Sequence, residues 1–246
     1  MFRAAECRHL ACLPLLRPVL DLGVGDGMFA RAALRIPLDI GVDLRLHQLR
    51  AAARNGAHRA LAQGDASRLP FRDASMGTVL AVSVCEHLAE PRRSLREVCR
   101  VLRPGGMFVA TIVLPCLGKS MLYPSLCRNC GAEFIGRTYV RLLDYLFEHH
   151  AMHSRAHWEE MTESAGLSIT DSKTVISPVL SRWFDFWLLT AWPYKLFGPG
   201  RRRLLGWPSW STAALWRWLS AVESRDADDG GVLYLIAHKP DLRRTE

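Results

Sequence analysis

The sequence predicts a doubly wound α/β fold, a mostly parallel sheet with helices on both faces, and three observations carry that expectation. An apolar run, Val19 to Leu22, interrupted by Asp21, passes directly into Gly23, Gly25 and Gly27. A second run, Leu38 to Val42, ends in the carboxylate of Asp43, twenty positions after Gly23. Two further predicted strands end in Gly64-Asp65-Ala66 and Cys85-Glu86-His87. Polar groups therefore collect at the carboxyl ends of all four strands, where such sheets bind ligands.

Residues 19–27 read as a buried strand that turns abruptly into a helix. Glycine at alternate turn positions lets a ligand approach the backbone, and the helix start offers unpaired N–H groups. A tight turn without a ligand would use the same residues. Asp43 can accept both hydroxyls of a ribose at the switch point of the sheet, or cap a helix over Leu44 to Arg54, and the two roles are compatible. The third strand is expected over Arg59 to Gln63 and the fourth over Thr78 to Val84. A nicotinamide-binding turn would place a glycine where Met28 stands.

Val19 to Gly27, Gly41-Val42-Asp43, Gly64 to Phe71, Cys85 to Leu88 and Leu95 to Gly106 stand in the order and spacing of the successive motifs of one family. Over residues 19 to 113 the chain resembles the class I S-adenosylmethionine-dependent methyltransferases. The resemblance implies a Rossmann-like sheet of seven strands with the last antiparallel, S-adenosylmethionine as cofactor, and methyl transfer as the activity. It also implies that Asp21, Gly23, Gly25 and Gly27 surround the methionine moiety and that Asp43 binds the ribose. Asp65 and Ala66 would flank the adenine, with Asp65 accepting from the exocyclic amine, and Ser83 would line the methionine side. Val24 stands where the family often has cysteine, a change that backbone-mediated contacts tolerate.

Glu86 and His87 are the catalytic candidates. A neutral imidazole after the fourth strand can take a proton from an acceptor hydroxyl or amine, although alignment alone can suffice for methyl transfer and the pair can equally brace its loop. His149, His150 and Tyr123 are further candidates.

With 246 residues, 49% apolar and 23% charged, the chain suits one globular domain with a sizeable core. The net charge of +8 comes from 28 Arg and 4 Lys. That basic balance favours anionic headgroups or phosphorylated substrates, and no nucleic-acid partner is expected. Leu10 to Leu16 is too short for a membrane span and lacks a cleavage pattern, so a cytoplasmic location is expected, with a helix over Phe2 to Leu10 as a small cover for the cofactor pocket. The seven cysteines read as thiols. Cys127 and Cys130 have zinc-knuckle spacing, with His153 and His157 downstream. The gap between the pairs is unlike that of a finger, and no metal is expected.

Residues 114–166 read as a variable, substrate-side segment of a single 1–246 domain. Ser168 to Val175 and Gly231 to His238 read as the last two strands, and the long segment between them, 177–229, is an aromatic-rich helical insertion. Seven of the eight tryptophans lie between Trp183 and Trp218, beside the run Arg201-Arg202-Arg203. Aromatics next to arginines suit a membrane headgroup boundary, while an aromatic core layer or a dimer contact would use them equally well. Stacking on nucleic-acid bases ranks behind both, because the aromatics cluster with Leu and Phe rather than alternating with basic residues.

The expected function is therefore methyl transfer to a hydrophobic or lipid-linked small molecule, with oxygen favoured as acceptor atom and with peripheral membrane contact. A soluble acceptor, or a non-catalytic binding protein on the same fold, are the alternatives.

Overall fold

The computed structural model describes residues 2–34, 36–196 and 230–241. In chain order these form α1 (Phe2–Ala11), β1 (Val19–Leu22), α2 (Met28–Ala33), β2 (Leu38–Asp43), α3 (Leu46–Asn55), β3 (His58–Gln63) and β4 (Met76–Val82). A one-turn 3₁₀ helix at Cys85–His87 leads to α4 (Pro91–Val101), β5 (Leu102–Val113), α5 (Cys116–Ser120), α6 (Leu122–Asn129), α7 (Glu133–Leu146) and α8 (Arg155–Ser164). The last elements are β6 (Ser168–Val175), α9 (Pro178–Leu196) and β7 (Val232–His238).

The seven strands make one sheet in the order β3-β2-β1-β4-β5-β7-β6, parallel from β3 to β5, with the last strand antiparallel as expected. The order reverses between β1 and β4, which sets the switch point at their carboxyl ends. β4 is buried at every position, as a central parallel strand must be, and it reads as a continuous apolar run apart from Gly77 and Thr78. Gly77 has a packing reason: a Cβ there would stand 2.4 Å from the carbonyl oxygen of Leu16.

The chain divides into two compact units. The α/β unit comprises residues 3–114, 148–173 and those from 233 onward. α4 anchors one of its loops. The guanidinium of Arg100 donates to the carbonyls of Leu69 (3.0 Å) and Phe71 (2.9 Å) and pairs with Asp73 and Glu97, while Glu97 accepts from the Leu69 N–H. The hydrogen bond from Arg100 holds the Glu97 carboxyl below its ordinary range. Residues 69–73 and α4 are thus one mechanical piece.

The second unit contains α5, α6, α7 and α9. α6 and α7 pack closely because Gly136 carries no side chain: a Cβ there would lie 3.1 Å from the Cα of Pro124. α9 is tied to both by one buried carboxylate, Asp185, which accepts from the Tyr123 N–H (2.9 Å) and from the Tyr139 hydroxyl. Burial raises the Asp185 carboxyl above its ordinary range and, with the adjacent carboxylate, pushes the Tyr139 phenol up as well. Asp185→Ala would leave the Tyr123 N–H and the Tyr139 hydroxyl without their acceptor. A stability loss of about 2–4 kcal/mol is expected, read as a lowered melting temperature, and unchanged melting would remove this anchoring role.

α9 presents Trp183 and Phe186 partly to solvent, and α7 exposes Phe134 (77%) and Tyr145 (80%) together with Ile135 and Leu142. Among the described residues no helix is long and apolar enough to cross a membrane. The rest of the aromatic insertion, including Arg201-Arg202-Arg203 and Trp207 to Trp218, lies outside the described residues.

Candidate functional site

The turn after β1 has the backbone that its glycines permit. Gly23, Gly25 and Gly27 sit at φ of 70°, 54° and 75°, a region that side-chain-bearing residues occupy at a cost. Gly27 also needs the space, since a Cβ there would lie 3.1 Å from the Cα of Ala52 on α3. At Gly25 a Cβ would meet nothing within 4 Å, so this part of the turn opens onto free space. A ligand can lie there against bare backbone.

Asp43 closes the other side. Its Oδ2 accepts from the Gly25 N–H (2.9 Å) and its Oδ1 from the Arg45 N–H (2.8 Å). The ends of β1 and β2 are thereby held together by the carboxylate expected to meet a ribose, and each oxygen keeps a second lone pair. The capping role differs from expectation: α3 begins at Leu46 rather than Leu44, so Asp43 makes a turn two residues before the cap position instead of capping the helix.

Asp21, on β1, stands opposite Gly41 and Leu80 in the sheet. Its Oδ2 meets the Nε2 of His58 at 2.8 Å, and the buried ring of His58 fits because Gly41 has no side chain, where a Cβ would come within 2.9 Å of it. A carboxylate can only accept when ionised, so Nε2 is the donor. His58 went unrecognised in the sequence, where its role depends on a contact thirty-seven positions away.

Asp65 and Ala66 follow β3. The Oδ1 of Asp65 accepts from the Ser67 N–H (2.8 Å), which orders the turn that Arg100 anchors from α4. Ser83 sits just past β4 with φ at 50°, its N–H bonded to the Thr111 carbonyl (2.9 Å). Its hydroxyl donates to Oε1 of Glu6 (2.7 Å), which also accepts from the Thr111 hydroxyl (2.7 Å). Glu6 is thus a buried carboxylate that brings α1 onto the ends of β4 and β5. This role was not legible in the sequence, because its contacts span 77 and 105 positions.

Glu86 and His87 occupy the 3₁₀ turn. Glu86 is fully buried, and burial pushes its carboxyl up to about 7. Its backbone carbonyl accepts from the N–H groups of His150 and Ala151, both at 2.8 Å, which fastens residues 148–151 to the turn. The Nδ1 of His87 lies 3.0 Å from the Glu148 carbonyl, and Glu148 pairs with Arg45. A carbonyl only accepts, so Nδ1 carries the hydrogen and Nε2 keeps its lone pair. Burial lowers the His87 pKa, which favours the neutral ring. His149 stacks beside it, with ring centroids 5.3 Å apart.

Among the described residues Cys127 and Cys130 join no cluster of three or more metal-ligating groups, and neither forms a disulfide. His153 and His157 pair with each other as rings, with centroids 4.6 Å apart.

Residues 20–110 match the methyltransferase domain family. An uncharacterized methyltransferase of Mycobacterium sp. strain JLS is 40% identical over 96 residues, covering 38% of this chain and 37% of that protein. A chloroplastic uncharacterized methyltransferase of Arabidopsis thaliana is 34% identical over 113 residues, covering 39% and 32%. The chain thus matches about a third of the length of these relatives.

Among solved structures, a SAM-dependent methyltransferase from Thermotoga maritima superposes with a TM-score of 0.58 at 18% identity, over 97% of this chain and 89% of that one. Haemonchus contortus phosphoethanolamine N-methyltransferase 2, solved with S-adenosylhomocysteine, gives 0.57 at 19% identity, over 97% and 53%. The cyclase SpnF gives 0.59 at 22%, over 97% and 81%. At such identities these neighbours speak for the fold. Residues 20–110 thus match the methyltransferase domain family, within a sheet order and fold shared with solved S-adenosylmethionine-dependent methyltransferases.

Proposed function

We propose that this chain transfers the methyl group of S-adenosylmethionine to a hydrophobic or lipid-linked small molecule through an oxygen nucleophile. The observation that carries the cofactor half is the open turn at Gly25 with the Asp43 carboxylate bonded to its N–H. The residues present fit the group: bare backbone at Gly23, Gly25 and Gly27 for the methionine portion, Asp43 for the ribose hydroxyls, and Asp65 with Ala66 for the adenine. Asp21 and Ser83 stand on the methionine side, each positioned by a second side chain, His58 and Glu6. Bound there, the cofactor supplies a methyl group made electrophilic by its sulfonium.

His87 serves the acceptor. Its Nδ1 is committed to the Glu148 carbonyl, which fixes the ring and leaves Nε2 as the base available to an acceptor O–H. Glu86 anchors the loop that carries it, through the paired bonds from His150 and Ala151. Within the second unit the exposed apolar side chains of α7 and α9, with Arg137 and Arg141 on α7, suit a membrane surface, and the expectation of a hydrophobic or lipid-linked acceptor rests on that surface chemistry alone.

Purified protein incubated with methyl-labelled S-adenosylmethionine and a cell extract is expected to place label in the organic phase. Label only in the aqueous or macromolecular fraction would overturn the acceptor class, and no transfer at all would overturn the activity. His87→Ala is expected to lower turnover by about 10²–10⁴-fold while leaving S-adenosylhomocysteine affinity unchanged, and undiminished turnover would retire His87 as a base.

A further inference from the structure

The turn after β4 and the segment after α7 bring together more chemistry than a base needs. One carboxylate oxygen of Glu86 and one ring nitrogen each of His87 and His149 all lie within 4.8 Å of one another. The backbone enforces this meeting, because the two N–H groups that follow His149 both donate to the carbonyl of Glu86.

Two independent features show what such a cluster is built to hold. First, Glu86 is 0% exposed, and among the described residues neither of its carboxylate oxygens has a partner in full hydrogen-bond geometry, although the backbone N–H groups of Glu86 and Val113 and the His149 ring favour its charged form. A buried carboxylate without a well-aligned donor is costly to keep ionised, and a cation is the natural complement. Second, His87 gives its Nδ1 hydrogen to a backbone carbonyl and keeps its Nε2 lone pair. Metal-ligating histidines are oriented in this way, with the far nitrogen donating to a carbonyl or carboxylate that fixes the tautomer. The ion pair of Arg45 with Glu148 steadies the residue that supplies this carbonyl.

We propose that Glu86, His87 and His149 form a site for one divalent first-row transition-metal ion. Two imidazoles and one carboxylate suit zinc, manganese or iron(II), and three protein ligands leave a position open for a small oxygen ligand. Ligand atoms about 2.0–2.2 Å from a shared ion stand roughly 3–3.5 Å apart, so the widest pair closes by up to about 1.5 Å on loading. That movement is within the reach of His149, a partly exposed ring on the segment after α7.

One carboxylate and two neutral imidazoles leave a divalent ion with a net charge of +1, which favours an anionic or polarised oxygen in the open position. This last step rests on the methyltransferase reading, in which an acceptor hydroxyl is the oxygen at hand. In the loaded protein the Nε2 lone pair is a ligand, and direct proton acceptance by His87 belongs to the metal-free form.

The full chain, stripped with chelator and titrated calorimetrically with zinc and then manganese chloride, tests the site. After desalting, its metal content is measured. About one equivalent of at least one of the two ions is expected to be retained. His149→Ala and Glu86→Gln, the second keeping the shape of a buried side chain, are each expected to weaken binding by at least about 100-fold. S-adenosylhomocysteine affinity, measured on the same samples, should stay constant across the variants, which shows that they fold. Less than a tenth of an equivalent of either ion, or binding that persists in both variants and so belongs to other side chains, would overturn the proposal. A protein that takes up the ion but not S-adenosylhomocysteine would support the metal site and sink the cofactor reading instead.

Discussion

Asp43→Ala is expected to lower affinity for S-adenosylhomocysteine by at least about 100-fold. A hydrogen bond to a charged group is worth about 1.5–3 kcal/mol, and an aspartate that accepts two ribose hydroxyls contributes two of them. At 1.4 kcal/mol per factor of ten, about 3 kcal/mol already reaches two orders of magnitude. The substitution also frees the Gly25 N–H and the Arg45 N–H, which both bond this carboxylate. The turn then loses its brace before any ligand arrives. Loss of the Arg45 contact should cost only about 1 kcal/mol of stability, a melting shift of about 2–4 °C for a chain of this size. Calorimetry with S-adenosylhomocysteine beside a thermal melt separates the effects. An affinity loss under tenfold would remove Asp43 as the ribose ligand, and a collapse of the melt would reassign it to the fold.

Much of this architecture was legible because the signals were local. The strands around the switch point are short apolar runs punctuated by glycine, and the observed β2 and β6 coincide with the expected Leu38 to Asp43 and Ser168 to Val175. Gly23, Gly25 and Gly27 were readable as a tight strand-to-helix turn because only a residue without a Cβ adopts all three positive φ values without penalty. The illegible parts depend on contacts between distant positions. Glu6 reaches Ser83 and Thr111 across 77 and 105 positions, His58 reaches Asp21, and Glu86 meets a segment more than sixty residues on. Nothing in the spacing of those residues encodes the meeting, because the sheet, not the helix or strand period, brings them together.

Asp185 shows a role that hydropathy leaves open. A lone acid among Trp183, Phe184, Phe186 and Trp187 reads as a flaw in an apolar helix. In the fold it is the acceptor that joins α9 to Tyr123 and Tyr139. Hydropathy cannot distinguish a charge that excludes a helix from lipid from one that anchors it in protein. The exposed row on α7 was equally hidden, since Phe134, Leu142 and Tyr145 share a helix with buried Gly136 and Leu143, and only the packing of α6 decides which face is covered.

Gly23→Ala should be the most damaging small change in the turn, and a second substitution can show why. The φ of 70° costs an alanine about 1–2 kcal/mol. Its Cβ would stand 2.5 and 2.7 Å from the two γ carbons of Val84, an overlap that shifts in the backbone must absorb at about 1–3 kcal/mol. The sum, about 2–5 kcal/mol, is a large part of the 5–15 kcal/mol that holds a domain together, and predicts a fall in melting temperature of roughly 10 °C. Val84→Ala removes both offending methyl groups. In the double variant the overlap shrinks to the 3.2 Å approach of the remaining Cβ of residue 84 while the backbone term stays, so a coupling of about 1–3 kcal/mol in favour of the pair is expected from the four melts. Additive losses would mean that Val84 swings away freely in the single variant and that the conformation of the turn alone makes glycine necessary. Full recovery would mean the reverse, a turn that tolerates a side chain at position 23 once its neighbour yields, and the left-handed backbone would then carry no share of the requirement.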